Sequence, residues 1–120
     1  MSEHIFFNLG LAFIIIHEMD AIRCKEWRII PGLNLLNDKL SFTIFMFAHI
    51  PLFIILFSNL SANHSLNNLI FYLELFFIIH LILHIIYLKN PKNEFKDFIS
   101  WIFIVSPAIF GLIDLIINRV

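Results

Sequence analysis

The chain has a single cysteine, three glycines and few charges: only 14% of its residues are Asp, Glu, Lys or Arg. One thiol cannot close an internal disulfide, and it fits no cysteine-rich metal motif. The net charge of -1 offers no basic face for DNA or RNA. Soluble domains carry about 25% charged residues. At 120 residues and 60% hydrophobic content, this chain has too little interior to hide its apolar side chains from water. A water-soluble enzyme, a nucleic-acid binder and a disordered tail are all excluded. What is abundant is long apolar sequence, with a mean hydropathy of +0.89 and fifteen phenylalanines.

A bilayer-crossing helix needs about 20 mostly apolar residues. Four stretches qualify: Ile5 to Ile22, Leu40 to Phe57, Leu69 to Leu88 and Phe98 to Ile117. Runs such as Phe-Ile-Ile-Ile do not alternate as barrel strands must, so the spans read as helices. The expected fold is all-α, an integral membrane four-helix bundle, with residues 1–120 forming a single membrane domain. Pro51 and Pro107 fall inside the second and fourth spans and predict kinks there. The first span lacks a basic leader, and Glu18 and Asp20 follow its apolar run. It is therefore expected to be retained as a helix and not cleaved as a signal peptide.

Basic residues set the expected orientation. Arg23, Lys25, Arg28, Lys39, Lys89, Lys92 and Lys96 lie in or beside the first and third connections, against Arg119 alone on the other side. The positive-inside rule then places loops 23–39 and 89–97 in the cytoplasm, with both termini outside. The expected location is a bacterial inner membrane, crossed several times. Trp27, Tyr87 and Trp101 fall at the inner interface, where amphipathic rings are favoured. The segment Lys25 to Pro31 is expected along the inner surface, before Pro31-Gly32 turns the chain back.

Ionisable residues inside hydrocarbon cost about 2.5 to 3.5 kcal/mol each and mark functional sites. At a rise of about 1.5 Å per residue, His17, Asp20, His49, His80 and His84 fall between mid-membrane and the inner face. Glu74 and Asp114 fall in the outer half. His80 and His84, four residues apart, share one helix face; His17, Asp20, Ala21 and Cys24 share another. Three readings stay open. In the first, the five inner residues bind a divalent transition metal, because imidazole suits such ions and an i, i+4 pair is a good bidentate start. Glu18 is then the candidate catalytic proton acceptor, with Glu18 or Glu26 as outer partner or base. Such a protein would be an oxidoreductase or hydrolase acting on a lipid-soluble substrate. The second is a proton or ion relay or a small transporter. The third is an accessory membrane subunit whose polar cluster only joins helix to helix, at about 0.6 kcal/mol per contact. The Phe-rich outer faces suit the lipid bilayer, a homo-oligomer or a larger membrane partner.

His17-Glu18 opens like a zinc-protease His-Glu-x-x-His motif, but Ala21 stands where the second histidine would be. The segment His17-Glu18-Met19-Asp20-Ala21, followed by Glu26-Trp27-Arg28, resembles a family of small, uncharacterised bacterial four-span membrane proteins. The resemblance implies a multi-pass bacterial membrane protein and transfers no catalytic residue. A His-x-x-Glu-Glu pattern is not met, since Asp20 and Ala21 occupy those positions.

Overall fold

The computed structural model describes residues 4–119. It holds four long helices: α1 (Ile5–Arg23), α2 (Asp38–Leu60), α3 (Leu66–Tyr87) and α4 (Phe98–Arg119). Each is long and apolar enough to cross a membrane. The bundle measures 44 × 28 × 19 Å, and its long dimension matches a bilayer with its headgroup regions, about 40–45 Å. Large apolar side chains cover the outside, with Phe47, Ile54 and Ile117 each about 60% exposed or more. That exposure suits hydrocarbon and would be untenable in water at this scale.

Helix ends extend past the hydropathy limits where polar residues still favour helix. The Asn37 side chain accepts the Leu40 N–H at 2.9 Å and starts α2 at Asp38, two residues before the apolar run. Asn67 and Asn68 are helical at the start of α3. Both α2 and α4 continue through Pro51 and Pro107 without a break.

The helices do not pack evenly. α4 lies against both α1 and α3 along most of its length, while α2 meets α3 and the connections more lightly. Small residues permit the tight part. A Cβ added at Gly10 or at Gly111 would stand 3.1 Å from the Phe77 ring, so these two glycines let α1 and α4 close on that ring. Phe77 is fully buried, in a cluster with Phe7, Ile14 and Ile70. A second apolar cluster surrounds Ala21, Trp27, Phe45, Phe95 and Ile104. It lies at the end carrying connections 24–37 and 88–97, hereafter the basic end; the opposite end is the terminal end.

The first half of the first connection, expected along the inner surface, packs into the bundle, while residues from Pro31 to Asn37 are largely exposed. Lys25 adopts the left-handed conformation (φ 51°, ψ 53°) and turns the chain back, so the 3-10 turn Glu26–Arg28 buries Glu26 and Trp27. Trp27 Nε1 and Arg28 Nε each donate to Asp38 Oδ1 at 2.8 Å. Ser41 Oγ donates to the Leu33 carbonyl at 2.6 Å. These bonds clamp the connection onto the start of α2. Gly32 makes its turn at φ +92°, and a Cβ there would meet nothing within 4 Å. Gly32→Ala therefore isolates the backbone cost. Thermal unfolding in detergent is expected to show a loss of about 1 to 3 kcal/mol.

Candidate metal centre

Three imidazoles and one carboxylate converge at the basic end. His17 comes from α1, His80 and His84 from α3, and Glu26 from the turned-back connection; all four are buried. Their ligand atoms lie within 4.8 Å of one another. The shorter separations are 3.1 Å between His80 Nε2 and His84 Nε2, and 3.0 Å between His84 Nε2 and Glu26 Oε1. His17 Nε2 is 3.7 Å from the same Glu26 oxygen. Four ligands about 2.0–2.1 Å from a tetrahedral ion would stand roughly 3.3 Å apart. The three measured distances fall on either side of that value.

The i, i+4 spacing brings His80 and His84 together, with ring centroids 4.4 Å apart. The His17 ring closes the triangle, at 4.5 Å from His80 and 5.0 Å from His84. Glu26 completes the set only because Lys25 reverses the chain. Burial works against ionisation of the Glu26 carboxyl, but the imidazoles of His17 and His84 outweigh it and hold the group below the usual carboxylate range. A carboxylate oxygen faces three imidazole nitrogens, which is the donor chemistry of a divalent transition metal.

Hydrogen bonding alone leaves this cluster incomplete. Both ring nitrogens of His17, and Nδ1 of His80 and of His84, are buried without a hydrogen-bond partner. Buried polar atoms seldom remain so without a bound group. The rings are steered by aromatic packing instead: Phe95 lies 5.4 Å from His17 and 4.7 Å from His84, and Phe76 lies 5.5 Å from His80.

The other sequence candidates sit nearby but in separate groupings. Asp20 turns toward α4, where Ser100 Oγ donates to it at 2.6 Å and Arg23 Nε at 2.8 Å. His49 reaches across from α2 to Glu18, with Nε2 2.6 Å from Oε2. Its Nδ1 is 2.6 Å from the Phe45 carbonyl. A carbonyl only accepts, so Nδ1 carries a proton, and a second proton lies between His49 Nε2 and Glu18. Glu74 and Asp114 lie at the terminal end, beside His4.

A cleft of about 430 Å³ separates α2 from this cluster. Glu26, His80 and His84 line one wall, while Glu18 and His49 lie on the same cleft. A second hollow of about 320 Å³ runs on between α1, α2 and α3 toward Leu11 and Phe77. It shares Glu18, Leu52 and Phe76 with the first, and its walls are otherwise apolar. The loose seating of α2 creates both.

Four membrane-length helices and a buried His/Glu cluster that could hold a metal ion define the class, a multi-pass helical membrane protein. The chain belongs to the DUF6713 family, a family of unknown function whose model matches residues 3–120. No curated protein and no solved structure matches it.

Proposed function

We propose that this is a single-domain membrane metalloprotein binding one divalent transition metal through His17, Glu26, His80 and His84. The observation that carries the proposal is the buried convergence of three imidazole nitrogens and one carboxylate oxygen from three chain segments. His17 Nε2 faces the cluster without a hydrogen-bond partner, which structural helix-to-helix glue would not need. Because Glu26, His80 and His84 border the cleft, a fifth ligand can approach the ion from that side. Catalytic zinc sites use such an opening. The Glu18–His49 pair holds a proton on the same cleft and serves as acid–base partner. Apolar walls and access between helices suit a lipid-soluble substrate, and the chemistry is hydrolysis or oxidation–reduction.

The test is metal analysis of protein purified without chelators, joined to X-ray absorption of the loaded form. The expected result is at least one ion per chain, with a shell of nitrogen and oxygen at about 2.0–2.1 Å and imidazole scattering. Protein that takes up no Zn, Fe, Mn or Co above trace overturns the proposal.

The proposal places the metal near the cytoplasmic side of a bacterial inner membrane, with both termini outside. The support is the seven basic residues at or beside the basic end. A cysteine introduced as Ser61→Cys is expected to react with an impermeant maleimide in intact cells, and Lys92→Cys only after permeabilisation. Native Cys24 is 2% exposed and gives little background. The opposite labelling pattern would reverse the orientation.

A further inference from the structure

A second polar centre sits at the terminal end, and the proposed metal centre makes no use of it. His4 at the start of α1, Glu74 on α3 and Asp114 on α4 each place one ligand atom within 4.8 Å of the others. Glu74 and Asp114 are fully buried. His4 Nδ1 is 2.7 Å from Asp114 Oδ2, and the Phe7 N–H donates to Asp114 Oδ1 at 3.2 Å. Glu74 is different: among the described residues neither of its carboxylate oxygens meets a hydrogen-bond donor, and the Asp114 carboxyl is its close neighbour. The nearest cation, Arg119, comes no closer than 3.8 Å to Oε2. Its guanidinium lies over the Phe71 ring and donates to the Asn67 carbonyl.

Two buried carboxylates side by side repel each other unless a cation or a shared proton stands between them. Arg119, at 3.8 Å from Oε2, makes no hydrogen bond to either oxygen of Glu74. We propose that His4, Glu74 and Asp114 form a second divalent-cation site. Two oxygens and one imidazole favour a harder ion than the three-histidine centre does, with Mn²⁺ as the natural occupant. His4 is 20% exposed at its side chain, so the ion enters from the surface at this end. The site also has a structural effect: it ties the start of α1 to α3 and α4, away from the connection that clamps the basic end.

Mn²⁺ uptake followed by loss of the free-ion EPR signal tests this. The protein is purified full-length in nanodiscs, with its three-histidine centre first saturated with Zn²⁺. About one further Mn²⁺ per chain is expected. Glu74→Gln and Asp114→Asn are each expected to weaken that binding about tenfold or more, as loss of a metal-site partner does. His4→Gln lies at the helix start, outside the apolar core, and its Tm measured without Mn²⁺ separates weaker binding from misfolding. Uptake that is absent in the wild-type chain, or unchanged in both Glu74→Gln and His4→Gln, overturns the proposal. In His80→Ala/His84→Ala protein the Mn²⁺ stoichiometry should persist, which separates failure of this site from failure of the first.

Discussion

If the proposed centre is real, His80→Ala/His84→Ala protein is expected to purify without the metal found in the wild-type chain, and to bind added Zn²⁺ at least about 100-fold more weakly. Removal of a mere outer partner in metal sites already costs 10- to 100-fold, and this variant removes two of four direct ligands. It also leaves the buried Glu26 carboxylate facing His17 alone, at 3.7 Å. An uncompensated buried charge destabilises by about 3 to 5 kcal/mol. Glu26→Gln separates the two effects, since it removes the charge and keeps the shape. Chelator treatment should lower the Tm of the wild-type chain more than that of the double variant, because only a bound ligand shifts the folding equilibrium. Equal metal content in the two proteins would remove the basis of the proposed function.

Phe77→Ala is expected to be the most damaging single apolar change, with a loss of about 3 to 5 kcal/mol in detergent unfolding. Phe77 has no exposed surface, and its ring stacks on Phe7 with centroids 6.3 Å apart. Gly10 and Gly111 press on it from α1 and α4. Those two helices are held at their spacing by contacts elsewhere, so the site cannot collapse to fill the void. Exposed phenylalanines such as Phe47 face lipid. Phe47→Ala should change stability by less than about 0.5 kcal/mol. A similar loss at both positions would mean that the ring does not act as a keystone.

The four spans were legible because each is a long apolar run bounded by charge or Asn-rich sequence. Their ends were less so, since Asp38 and Asn67 are helical without being hydrophobic. Depth was readable from residue counting, and it grouped His17, His80 and His84 at one level. Azimuth was not readable. Asp20 lies three residues from His17 on a shared stripe, yet α1 touches α3 on one side and α4 on the other, and the stripe divides between them. His49 lies across a cleft whose existence depends on how loosely α2 seats. Glu26 belongs to no helical period at all. Its place in the cluster follows from the left-handed turn at Lys25, which composition and spacing do not reveal.

Along α3, Glu74 and His80 stand three residues either side of Phe77, so about 4.5 Å of rise separates the ring from each. Phe7, Ile14 and Ile70 surround that level. The two polar groupings are therefore separated along α3 by an apolar level centred on Phe77. Moving an elementary charge through the full membrane voltage involves about 2.3 kcal/mol per 100 mV. A charge passing from one grouping to the other would have to cross that apolar level.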